Sequence, residues 1–119
     1  AFDAPALRQL AEADTLVAEA ISASKFSEAD INRIGYELLG KRGQPQIAEL
    51  VLKVNARTHA QSDNAQDSYG EVLLGANKPA EAKAQFLNAI AIAEKQGKSD
   101  RVLSGYRRNL AKAEQALAQ

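Results

Sequence analysis

Asp67 and Glu71 stand four residues apart, so a helix through them places both carboxylates on one face, one turn from each other. Paired carboxylates can pass a proton or share a cation. Here no third ligand lies close in sequence and no glycine-rich loop accompanies them. The expectation is two solvated carboxylates on a helix surface. His59 is the single histidine. It falls near a predicted helix C-terminus, where partial positive charge is welcome. A relay through it would need a nucleophile and an orienting acid. Ser62 sits too near, in the following turn, and the chain has no cysteine. Lys41-Arg42 and Arg107-Arg108 are basic pairs without interleaved aromatics, which argues against nucleic acid. No catalytic residue, metal site or cofactor is expected, and the chain reads as a non-enzyme.

Composition bounds what else it could be. The 119 residues are 45% hydrophobic and 25% charged, which suits one soluble domain over 1–119. Much of the apolar content is alanine and aromatics are only 5%, so a thin two-layer helical stack fits better than a thick core. Fifteen basic and 15 acidic residues cancel, leaving no global field toward nucleic acid or an acidic membrane. No apolar run approaches the roughly 18 residues that span a bilayer, and no secretory signal is visible. The chain opens on Ala1 and contains no methionine. A processed chain, or a piece of a longer one, is expected.

Those side chains must be positioned by helices, because helical spacing recurs and strand alternation does not. A first helix is expected over 4–24, with Asp3 as cap and Pro5 in the first turn. Its stripe is Leu7, Leu10, Ala11, Val17 and Ile21, interrupted by Asp14 and Leu16. Ser27 then opens a second helix with Asp30 as the short arm of a capping box, and Phe26 and Ile31 as a staple. Ile31, Ile34, Leu38 and Leu39 form its buried side, and Gly40 and Gly43 end it. Pro45 opens a third helix, with Ile47, Leu50, Val51 and Val54 inward and a Glu49–Lys53 pair outside. Ser62 or Asp63 caps the next, over about 64–76. Pro79 starts its partner, whose stripe is Ala82, Phe86, Ala89, Ile90 and Ala93, stopped by Gly97. Ser99 or Asp100 caps a last helix with Leu103, Tyr106, Leu110, Ala113 and Leu117 on one face.

Two of these hairpins repeat. Gly35 and Gly70 are 35 residues apart. Around them Ile31-x-x-Ile34-Gly35-x-x-Leu38 matches Gln66-x-x-Tyr69-Gly70-x-x-Leu73. Ala48-x-x-x-Leu52 matches Ala82-x-x-x-Phe86. A small residue facing a bulky one lets antiparallel helices approach closely. This pattern resembles the tetratricopeptide repeat over about 28–96. The resemblance implies an all-α fold of antiparallel helix-hairpin repeats in a right-handed superhelix, about six helices in all. The organisation would be an N-terminal helix over 4–24, repeats at 28–60 and 63–96, and a capping helix over 99–118. Gln66 departs from the family pattern, standing where a large apolar residue is usual. In the last helix Arg107 stands where the packing register wants glycine. Gly105 restores the 35-residue spacing but leaves the apolar stripe, and the stripe is the stronger guide.

A narrower resemblance runs through Gly35-Tyr36, Asn55, Ser62, Asn64 and Asp67-Ser68-Tyr69-Gly70-Glu71. It is similar to the repeat tail that follows many bacterial serine hydrolases of the β-lactamase-like and esterase types. That implies an accessory domain with no catalysis of its own; the compartment is left open, a bacterial cytoplasm and a periplasm being equally compatible.

In such stacks the first helix of each pair lines a concave face. The resemblance, with helical spacing from the buried stripes, puts Asn32, Tyr36, Asn64, Asp67, Glu71, Arg101, Ser104, Arg108 and Lys112 there. Tyr69 and Tyr106 go to packing. An acidic strip would lie beside a basic one, suited to an extended peptide or protein terminus. The alternative for each residue is mutual pairing across helices, and for Asn64 and Asp67 simple capping. The leading expectation is a protein- or peptide-binding module. Its alternatives are self-association through the open end of the stack and packing on the catalytic domain of a parent chain.

Overall fold

The computed structural model describes residues 4–41 and 43–119, with side chains from Arg8 onward. Asp3, the Leu7 side chain and Arg42 lie outside the described residues. The described residues are all-α and form six helices: α1 (Ala4–Ala23), α2 (Glu28–Leu39), α3 (Pro45–Thr58), α4 (Asp63–Gly75), α5 (Pro79–Lys95) and α6 (Asp100–Leu117). No helix among the described residues is long and apolar enough to cross a membrane.

The helix ends follow from side-chain chemistry. Ser27 accepts from the Asp30 amide while Asp30 accepts from the Ser27 amide, so two end groups that would lack partners satisfy each other. Ser62 and Ser99 cap α4 and α6 by accepting from the amides of Ala65 and Val102. Pro45 and Pro79 open α3 and α5, where a missing N–H costs nothing. At the exit of α4, Asn77 takes φ +63°, and the Lys78 amide reaches back to the Leu73 carbonyl. Gly97 does the same after α5, with Lys98 reaching Ala93.

α2 packs on α3 and α4 on α5 as antiparallel hairpins, α3 joins them by packing on α4, and α6 packs on α5. On one side of the stack α4 also touches both α2 and α6 directly. On the other side α3 and α5 leave a cleft of about 230 Å³ whose lining includes Arg57, Gln66, Tyr69 and Asn88. The layer of first helices is therefore the closer-set one, and its face is the inner face.

Two contacts hold the hairpins shut. A Cβ on Gly35 would lie 2.5 Å from Leu52 Cδ2, and one on Gly70 would lie 2.5 Å from Phe86 Cε1. Both distances are too short for real atoms, so each glycine is the absence that admits the bulky partner. Ala48 and Ala82, one turn before those partners, are fully buried. Phe86 gathers Leu73, Ala82 and Ala113, while Ile90 and Ala93 meet Leu103. α5 is thereby covered on both flanks, and the stripe expected for it is buried in full.

Several expected positions turn out otherwise. Leu10, Ala11 and Leu117 are exposed, because the helices at the two ends have only one neighbour layer to cover them, and Leu39 and Ile47, beside the α2–α3 turn, are exposed as well. Glu49 and Lys53 do not pair with each other. Glu49 takes the ammonium of Lys78 at 2.8 Å, and Lys53 takes Asp14 at 2.9 Å, since both reach tertiary partners. Asp14 also holds Arg57 at 2.7 Å. An interruption of the α1 stripe is thus its clamp to α3. Arg57 and then Lys53, donating to that carboxylate, pull its pKa down from 3.8 to about 2. Elsewhere α1 holds on thinly. An apolar cleft lined by residues including Val17, Ile21, Phe26, Ile31, Ile34 and Val51 stays open beside it. Phe26 and Ile31, the expected staple, both line this cleft.

Gly70→Ala should destabilise the fold by about 1–3 kcal/mol in urea unfolding, through overpacking against Phe86. Adding Phe86→Leu should recover part of that loss, a non-additivity that marks direct contact. Wild-type stability for Gly70→Ala would mean the helices do not meet there.

Asp14→Asn should raise amide exchange across α1 while leaving α4 and α5 protected. The sign with pH follows from the lowered pKa. The clamp stabilises fully above about pH 4 and is lost as pH falls through about 2.

Candidate functional site on the inner face

The inner face is a hydrogen-bonded strip across three helices. From α2 to α4, the Tyr36 hydroxyl donates to Glu71 Oε2 at 2.7 Å, and Asn64 Nδ2 donates to Glu28 Oε1 at 3.2 Å. From α6 to α4, Asn109 Nδ2 donates to Asp67 Oδ1 at 3.0 Å and to Glu71 Oε1 at 3.1 Å. The Tyr106 hydroxyl donates to Asp63 Oδ2 at 2.8 Å, and Lys98 Nζ lies 3.5 Å from Asp63 Oδ1. Asn32 Oδ1 is buried with no hydrogen-bond partner among the described residues. Four carboxylates are thus fixed by neutral donors, with one ammonium at the edge.

Burial sets the electrostatics. Asp67 is 8% exposed, so it is not the solvated carboxylate expected from the sequence, and of that pair Glu71 alone is exposed. That burial pushes the Asp67 pKa up to about 6. Asn109 opposes the rise by donating to the charged form, and the neighbouring charge of Glu71 adds to it. The Tyr36 and Tyr106 hydroxyls are raised as well, first by burial and then by their carboxylate acceptors. Both stay protonated and keep donating at any ordinary pH.

Tyr36, Asn64, Asp67 and Glu71 fall on one hydrogen-bonded strip, whereas Asn32 joins none of its bonds. Asn64 and Asp67 do not cap α4, because Ser62 does that. Arg101, Ser104, Arg108 and Lys112 do not join them. They are exposed on the side of α6 opposite its Leu103–Leu110–Ala113 stripe, and Arg108 donates to the Ser104 hydroxyl at 3.2 Å. As the last helix, α6 has two faces unused in packing, and helical spacing alone does not say which one turns inward. Register matters too. The α2–α4 bonds join residues 35 and 36 apart, whereas the α4–α6 bonds join residues 38, 42 and 43 apart. α6 is slid by a turn or more, so Gly105 is no counterpart of Gly35 and Gly70. A Cβ there would meet only the Arg108 side chain, at 3.8 Å. In their place Glu28, Asp63, Tyr106 and Asn109 build the strip. The signal missed for Asn109 is its position directly before the stripe residue Leu110. Tyr106, expected in packing, does border Leu103 but spends its hydroxyl on Asp63.

His59, Asn55 and Gln66 spend their polar groups on helix ends and on joins between helices. His59 caps α3, with Nδ1 3.0 Å from Asn55 Oδ1. Asn55, fully buried, donates to the Glu28 carbonyl at the start of α2. Gln66 sits where a large apolar residue was expected because its amide joins three helices. It donates to the Ala56 carbonyl at 3.0 Å and accepts from Asn88 at 3.1 Å. No protein-family model, curated protein or solved structure matches the chain.

The raised Asp67 pKa makes stability fall as pH rises from about 4 to 6, since the folded state there holds the proton more tightly than the unfolded chain. Asp67→Asn should flatten the melting temperature across that window and raise it above pH 6. An unchanged pH profile would mean the carboxyl is not desolvated.

Proposed function

We propose that the chain is a non-enzymatic helical-repeat module that binds a protein or peptide along the inner face of α2, α4 and α6. The observation that carries this is the strip itself. Glu28, Asp63, Asp67 and Glu71 stand side by side, held by amides and phenols, with Lys98 at one end. A carboxylate accepting one or two hydrogen bonds keeps lone pairs free. Exposed Glu71 and half-buried Glu28 thus offer fixed acceptors, and the buried Asp63 and Asp67 add negative charge behind them. The strip's complement is an extended segment carrying Lys or Arg side chains and free backbone N–H groups. Because the acceptors already hold their geometry, little side-chain freedom is lost on binding. α1 packs on α3, in the other layer, and leaves this face uncovered. The pairing of Gly35 with Leu52 and Gly70 with Phe86 supports a tetratricopeptide-like reading, in which the first helices of each hairpin form the binding face. A basic segment of a parent chain would bind by the same chemistry.

Fluorescence anisotropy with two labelled extended peptides, one rich in Lys and Arg and one rich in Asp and Glu, tests the proposal. The basic peptide should bind and the acidic one should not, with affinity falling as salt rises. The double variant Asp67→Asn, Glu71→Gln should keep its helical circular dichroism and bind the basic peptide about tenfold more weakly or worse. Equal binding of both peptides, or an unaffected variant, would reject the inner face.

A further inference from the structure

α1 and α6 are the two ends of the stack, and each is a helix with an unpaired side. α6 resembles the first helix of a hairpin that has no second. Its free side carries Arg101 and Arg108, seven residues apart, with Gly105 between them. Seven residues span about 10.5 Å of helix axis. The outer side of α1, opposite the Ala13, Asp14, Val17 and Ile21 side that meets α3, carries Glu12 and Glu19, also seven residues apart. Between them stands Leu16, which at 65% exposure is the barest large apolar side chain among the described residues. Glu12 and Glu19 have no ion-pair partner among the described residues, and neither do Arg101 and Arg108.

Laid antiparallel, the two sides match. Glu12 meets Arg108, Glu19 meets Arg101, and Leu16 falls at Gly105, where a Cβ would find nothing but the flexible Arg108 side chain. The same small-against-large contact closes α2 on α3 and α4 on α5. At one rim Arg8 comes near Lys112, an unfavourable pair whose long side chains can both turn to solvent. We propose that the chain associates head to tail with further copies of itself, α1 of one copy docking on the free side of α6 of the next. Within one chain α1 packs on α3, whereas α6 packs on α5 and touches α4. A joined pair therefore keeps one free end of each kind, and growth continues as a filament instead of stopping at a dimer. Exposed charge pairs contribute little each, so the association is weak and salt-sensitive. It uses surfaces separate from the inner face and stands or falls apart from peptide binding.

Sedimentation velocity over a concentration series from micromolar to millimolar decides it. At low ionic strength the average mass should climb past that of a dimer, and high salt should return it to monomer. Glu12→Arg with Glu19→Arg should be monomeric throughout, and so should Arg101→Glu with Arg108→Glu. Mixing the two variants should restore assembly, because each then offers the other a complementary end. Leu16→Ser, which alters an exposed side chain, should keep the wild-type melting curve and weaken assembly about tenfold. A wild-type chain that stays monomeric at millimolar concentration at low salt would overturn the proposal. So would either charge variant assembling as wild type does, or a mixture that stays monomeric.

Discussion

Two missing side chains set the architecture. At Gly35 and Gly70 a methyl group would collide with Leu52 and Phe86, so each hairpin closes only because nothing is there. The alanines one turn away, Ala48 and Ala82, extend the same close approach. Alanine-rich helices have little bulk with which to fill a core. Letting backbones approach is how this chain gains packing density. The inner strip is a consequence. Tyr36 and Glu71 follow those two glycines directly, and the approach of α2 to α4 lets the phenol reach the carboxylate at 2.7 Å.

Polar groups then fix what apolar contact leaves loose. Burying an amide costs free energy unless its hydrogen bonds are made. Asn55 and Gln66 are buried with theirs satisfied, and each joins helices that small apolar side chains alone would not hold in register. Asp14 plays a comparable part for α1, at the surface and with charge. α1 depends on that clamp more than other helices depend on any one contact, because its remaining hold is thin.

Helix positions were legible in the sequence because their signals are local. Serine caps, prolines at first positions and the left-handed turn at Gly97 each act within a few residues. The two hairpins were legible from the glycine spacing. Half of the inner face was legible as well, on α2 and α4, where register follows the repeat. α6 was not, because its slide depends on how Leu103 and Leu110 seat against α5, which no spacing rule contains. Nor did spacing separate its inner face from its free one. Glu49 and Lys53 misled for a similar reason. A pair four apart on one helix looks self-sufficient until partners arrive from α1 and from the turn before α5.

The two layers also differ in what deformation costs them. α4 touches both α2 and α6 and is stitched to them by hydrogen bonds, whereas a cleft parts α3 from α5. Bending that widens or narrows the cleft disturbs few contacts, while pulling α2 from α4 breaks the Tyr36–Glu71 bond at once. The molecule is mechanically anisotropic, compliant along its back and stiff along its front. Its carboxylates can thus keep their mutual spacing while the stack as a whole changes curvature.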